Sequence, residues 1–162
     1  MKTLFVLRHA KSSWNDPAMS DFERSLNERG FLAAPLIGEI MKQNDFLPEL
    51  IVSSPAKRAA QTAELIKESA EIDSEIHFDK RIYEASSSNL LEVLAEQNNR
   101  IESVLLIGHN PGLEHLIYIL TGEMHLMPTA ALAVIDLETN AWNELNSSTG
   151  NLRTIIRPKE LE

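Results

Sequence analysis

Three short apolar runs, each giving way to a polar turn, organise this chain: Leu4-Phe5-Val6-Leu7 before Arg8-His9, Leu50-Ile51-Val52 before Ser53-Ser54-Pro55, and Val104-Leu105-Leu106-Ile107 before Gly108-His109. Apolar residues that run continuously instead of alternating predict strands buried on both faces of a mainly parallel sheet, and the first and last of these runs are expected at its centre. Between Leu26 and Asn44 the period changes. Ala33, Leu36, Ile37, Ile40 and Met41 follow helical spacing, and Pro35 predicts a kink there. Ser54-Pro55 reads as an N-cap followed by proline at the first helical position, opening a helix to Glu68. Asn110-Pro111 repeats that grammar, with Leu113, Leu116, Ile117 and Leu120 on one face and Gly122 as the stop. A shorter helix is expected from Asn89, its cap, to Gln97, with Glu92 three residues on. Glu75 to Phe78, Ala131 to Leu137 and Leu152 to Arg157 read as strands. The last two are separated by an Asn/Ser/Thr/Gly-rich turn and should pair as a hairpin at one end of the sheet. The alternation predicts an α/β fold, a three-layer α/β/α sandwich with a mixed, mostly parallel sheet of about six strands, formed by residues 1–162 as a single domain.

Composition narrows the function. A chain of 162 residues is the size of one domain, and its 43% hydrophobic and 24% charged residues are ordinary for a globular protein. No segment approaches the ~18 apolar residues of a membrane span. The N-terminus enters strand pattern without a signal-like stretch, so a cytoplasmic location is expected. Cysteine is absent, which excludes disulfides, thiolate metal sites and a cysteine nucleophile. A net charge of -9 argues against nucleic acid as a partner. Any phosphate must therefore meet a local cluster, and Arg8, Lys11, Arg24, Lys57 and Arg58 supply one.

In open α/β sheets ligands gather beyond the carboxyl ends of the strands, so the three junctions can bring two imidazoles and two guanidiniums into one pocket. A neutral, aimed histidine can attack phosphorus where donors stabilise the equatorial oxygens. Guanidinium offers the paired donors that phosphate geometry matches. His109 can supply a proton to a phosphoryl oxygen or to the leaving group. His77, His115 and His125 carry no such context and read as ordinary surface or structural residues. Met124 and Met127 read as packing.

These residues carry a resemblance. Arg8-His9-Ala10-Lys11-Ser12-Ser13-Trp14-Asn15 resembles the RHG signature of the histidine phosphatase (phosphoglycerate mutase-like) superfamily, and Asp21 to Gly30 resembles its next block. Ser53 to Ala63 is similar to the segment carrying the second arginine, and Gly108-His109-Asn110-Pro111-Gly112 to the one carrying the second histidine. The short length and that last form are most similar to the SixA-type phosphohistidine phosphatase branch.

By position, the resemblance implies His9 as the nucleophile, transiently phosphorylated, with Arg8, Arg58 and His109 completing the phosphate pocket, and Arg24, Asn15 and Asn110 as further substrate contacts. Ala10 departs from the commoner glycine. Glu84 falls where many members carry a general acid; SixA-like members are thought to manage without one, and a surface carboxylate is the competing reading. The implied activity is a phosphatase for phosphohistidine in a protein, with no metal or cofactor and no membrane partner. A phosphatase for small phosphate monoesters is the alternative, and a phosphate-binding docking module a weaker one. A metallohydrolase is disfavoured because the neighbours of His9 and His109 are arginines, which repel a cation.

Overall fold

The computed structural model describes residues 1–14 and 16–158. Among them, six strands form one sheet: β1 (Lys2–Arg8), β2 (Leu50–Ser53), β3 (Ile76–Phe78), β4 (Ser103–Gly108), β5 (Leu132–Leu137) and β6 (Gly150–Ile156), in the order β3-β2-β4-β1-β5-β6. The pairs β3/β2, β2/β4 and β4/β1 are parallel, while β5 runs antiparallel to β1 and β6 to β5. The sheet is therefore mixed and mostly parallel, with β1 and β4 side by side at its centre and the hairpin at one edge, as the apolar pattern predicts.

Four α-helices cover the two faces: α1 (Glu28–Gln43), α2 (Lys57–Ala70), α3 (Ser87–Ala95) and α4 (Gly112–Thr121). Alternate residues of the buried strands sort into two cores. Phe5, Leu7, Ile51, Leu105 and Ile107 pack with Ala34, Ile37 and Met41 of α1 and Ala59, Ala63 and Ile66 of α2. Leu4, Val6, Val52, Val104 and Leu106 pack with Leu90 and Leu94 of α3 and Leu113, Leu116 and Leu120 of α4. Each fully buried aliphatic side chain contributes about 1.5–3 kcal/mol, so both faces of β1 and β4 hold the layers together.

The helix starts depart from the sequence expectation. α2 begins at Lys57 behind Ala56, without a side-chain cap, because Ser54 turns its hydroxyl to the Ala56 N–H at 3.2 Å and to His109. α3 is capped by Ser86, which accepts from the Asn89 N–H, so Asn89 is helical rather than capping. α4 begins at Gly112, with Asn110 outside it. α1 runs on through Pro35 without a break, at the cost of one backbone rung to Phe31. Gly122 ends α4 in the left-handed region at φ 77, the stop its position predicts. Met127 is buried, as a packing residue should be, but Met124 is 66% exposed.

Candidate active site

Register places the chemistry. Arg8 pairs with Gly108 at the last rung of β1/β4, so His9 and His109, the next residues of each strand, emerge side by side with ring centroids 5.1 Å apart. Ser53 pairs with Ile107 on the other side of β4, which brings Ser54 and the start of α2 to the same edge. The His9 backbone is fixed on both sides: its N–H donates to Gly108 O at 3.1 Å and its carbonyl accepts from the Ala130 N–H at 3.0 Å. The Ala10 N–H donates to Thr62 Oγ1, whose own hydroxyl donates to Arg58 O. Thr62 thus ties the turn after His9 to the helix bearing Arg58.

The tautomers follow from what the partners can do. His9 Nδ1 lies 2.7 Å from Ala10 O, and a carbonyl only accepts, so the proton of the neutral ring is on Nδ1 and the lone pair is on Nε2. Arg58 Nε approaches that lone pair at 3.4 Å. His109 Nδ1 lies 3.4 Å from Arg58 Nη2, which only donates, and its Nε2 lies 2.8 Å from Ser54 Oγ. The neutral His109 ring therefore carries its proton on Nε2, toward Ser54. Burial pushes His9 down to about 3; His109, Arg58 and Arg8 push the same way, and the bond to Ala10 opposes them. Burial and then Arg58 hold His109 down to about 4, against the pull of Asp21. Both rings are therefore neutral at pH 7, which leaves the His9 Nε2 lone pair without a proton.

Asp21 is the group the sequence reading missed. Its Oδ2 accepts from Arg58 Nη2 at 3.0 Å and from the Tyr83 hydroxyl at 2.6 Å, its Oδ1 from Arg24 Nη2 at 2.9 Å, and its backbone carbonyl from Arg58 Nη1 at 2.7 Å. Burial pushes this carboxyl up, but the bonds from Tyr83, Arg24 and Arg58 outweigh it and hold it well below the usual carboxylate range. Tyr83, pushed up to about 12 by burial and by Asp21, packs its ring edge-on against His109 at 5.6 Å and against Phe22 at 5.1 Å. The loop carrying Asp21 is anchored to α2 by the bond from Lys57 N to Phe22 O and by Gln61 Oε1, which accepts from Leu26 N and Ser25 Oγ.

The structure brings His9, His109, Arg58 and Arg24 together. Arg24 also donates to Ser12 Oγ and stacks on Trp14 at 3.9 Å. Arg8 adjoins the pair but donates from Nη1 to Met127 O at 3.2 Å. The Nε atoms of Arg8 and Arg24 are buried donors without a partner among the described residues. Asn110 gives its amide to Glu114 Oε2 at 3.0 Å and Met127 O at 2.8 Å, holding the loop before β5. Glu84 is exposed, at φ 53, and hydrogen-bonds none of these groups. Asn15 lies outside the described residues. His77 is exposed beside Glu75, His115 faces solvent, and His125 is half-buried near Glu123.

Comparison with known proteins bears on the family and the fold. The model of the histidine phosphatase superfamily (branch 1) matches residues 4–103. A chloroplastic protein of Arabidopsis thaliana, itself uncharacterised, is 27% identical over 92% of this chain and 72% of its own length. The crystal structure of a candidate phosphohistidine phosphatase, SixA from Agrobacterium tumefaciens, superposes with a TM-score of 0.85 at 32% identity, covering 97% of this chain and 98% of that one. The protein histidine phosphatase SixA complexed with tungstate shares the fold at a TM-score of 0.82 and 24% identity over 99% of both chains. Among the described residues, no helix is long and apolar enough to cross a membrane.

Proposed function

The chain belongs to the histidine phosphatase superfamily as a phosphatase of the SixA type, and from that premise we propose that it dephosphorylates phosphohistidine in a protein, through a transient phosphohistidine on His9 and without a metal ion. The observation that carries this reading is the lone pair of His9 Nε2, fixed by the bond from Nδ1 to Ala10 O and facing Arg58. The nucleophile attacks phosphorus in line, and the guanidiniums of Arg58, Arg24 and Arg8 take up charge on the phosphoryl oxygens. The arriving phosphate favours protonation of His109, which then donates from Nδ1 to a phosphoryl oxygen. Water hydrolyses the phosphoenzyme in a second step.

Substrate size supports the protein-borne reading. Between Glu84 and His109 the described chain forms only α3, a short connection and β4. That leaves no length for an insertion to enclose a small metabolite, whereas an open pocket admits a side chain presented by a folded partner. The test sets a phosphohistidine peptide against aryl phosphates, sugar phosphates and a phosphoserine peptide, with and without EDTA. The phosphohistidine peptide should have the highest kcat/KM, and chelation should change nothing. A sugar phosphate better by tenfold would replace this reading with a small-molecule monoesterase.

A further inference from the structure

Asp21 sits where a phosphate site has little use for it. The other side chains around His9 Nε2 are cationic or neutral, and a carboxylate bonded to Arg58 and Arg24 repels the phosphoryl group those arginines would hold. Its place relative to the nucleophile explains the charge. In-line transfer puts the departing atom on the far side of phosphorus from His9. His9 is 5% exposed and the Arg58 side chain 6%, whereas the Asp21 side chain is 31% exposed. Arg58 turns Nε to His9 Nε2 and Nη1 and Nη2 to Asp21, so Asp21 lies on the side of the guanidinium away from His9, at the more exposed end of the site. Its Oδ1 accepts one hydrogen bond and keeps capacity for another.

Building on the proposed activity, we infer that Asp21 selects the substrate by its departing group: its carboxylate favours a ring that is positively charged before transfer, the protonated imidazole of phosphohistidine, over a group that carries a carboxylate. The phosphorylated ring is protonated at its distal nitrogen before transfer, and a fixed anion nearby favours that form. His9 Nε2 forms the new N–P bond as the substrate N–P bond breaks. The electron pair of the broken bond stays on the substrate nitrogen, and imidazole leaves neutral with its distal proton in place. Nothing has to be donated in that step. An alkyl phosphate needs a proton on its leaving oxygen, and Asp21, ionised between two arginines, has none to give.

The test is Asp21→Asn in the full chain, with kcat/KM measured on a phosphohistidine peptide, an aryl phosphate and 3-phosphoglycerate, and the inhibition constant of inorganic phosphate measured alongside. Activity on phosphohistidine should fall about tenfold or more, activity on 3-phosphoglycerate should rise, and inorganic phosphate should bind as well or better. An equal loss on all three substrates with weaker phosphate inhibition would reduce Asp21 to a spacer for the arginines and overturn the inference. Asp21→Ser, also uncharged, reads the same way should the asparagine variant not fold. A wild-type enzyme inert toward phosphohistidine would sink the proposed function, whereas the aryl phosphate to phosphoglycerate ratio would still report the selection.

Discussion

Both ends of the central strand bury a cation, and they treat it in opposite ways. At the start of β1, Lys2 is 3% exposed; its ammonium donates to Asn99 O at 2.7 Å and Ile101 O at 2.9 Å and lies 5.3 Å from the centre of the Trp142 ring. Neutral carbonyls and an aromatic face satisfy that charge inside the protein. At the far end, Arg8 and Arg24 keep a buried Nε donor without a partner among the described residues, and the strongest partner of Arg58 is a carboxylate on a loop. The cation at the start of the strand is closed off by neutral acceptors of the fold, whereas those at the far end are tied to a carboxylate or keep a buried donor without a partner among the described residues. Burial alone does not separate the two; the identity of the acceptors does.

The sharpest way to break this contrast is at His9. His9→Ala should lower kcat/KM about a thousandfold or more on any phosphorylated substrate while the melting temperature holds; activity above roughly a hundredth of wild type would end the covalent mechanism. Arg58→Lys comes next. It keeps the charge and loses the planar fork, and steady-state kinetics should show a loss of roughly 10- to 100-fold. At the other end the effect should move from activity to stability. Lys2→Met should cost about 1–3 kcal/mol in urea unfolding, because Asn99 O loses its donor while Ile101 O keeps Trp142 Nε1 at 2.8 Å. Its kcat/KM should equal that of wild type, and a catalytic defect there would erase the distinction between the two ends.

The smallest effect concerns pH. His9 and His109 have folded values of about 3 and about 4, below the ordinary histidine value near 6.5. The unfolded chain therefore binds more protons across that window, and stability falls as pH drops from about 6.5 toward 4. A His9→Asn, His109→Gln double variant should lose less stability than wild type over the same range. Nitrogen NMR should find both rings neutral at pH 5.5, and titration of either near 6.5 would contradict the buried, cation-flanked environment.

What the sequence reveals follows the range of the forces involved. The strands at residues 3–8 and 103–107 are legible because burial on both faces requires unbroken apolar runs, and His9, Arg8, Arg58 and His109 are legible because strand ends in such sheets carry the ligands. Helix starts are less so. Ser54 has the chemistry of a cap, yet its hydroxyl serves His109 from 55 residues away, and no local pattern distinguishes the two uses. Asp21 is hidden for the same reason: its partners lie 3, 37 and 62 residues along the chain, and it sits in a polar loop without period. The same holds for Asn110, whose Nδ2 is engaged by Glu114 and by Met127 O, contacts 4 and 17 residues along the chain that its place before Pro111 does not announce.

The order of the strands also bears on how the chain is made. β1 precedes the other described strands in the chain, yet both of its neighbours, β4 and β5, come later, with Thr3 opposite Ser103 on one side and Asp136 on the other. This central strand therefore stays unpaired on both edges until β4 and β5 have been translated. Contacts that close such long loops form slowly. Until they form, a segment reading Leu-Phe-Val-Leu stands as an open edge of the kind that chaperones hold and aggregates recruit. Because His9 and His109 follow the last rung of β1/β4, they come together only when that pairing forms.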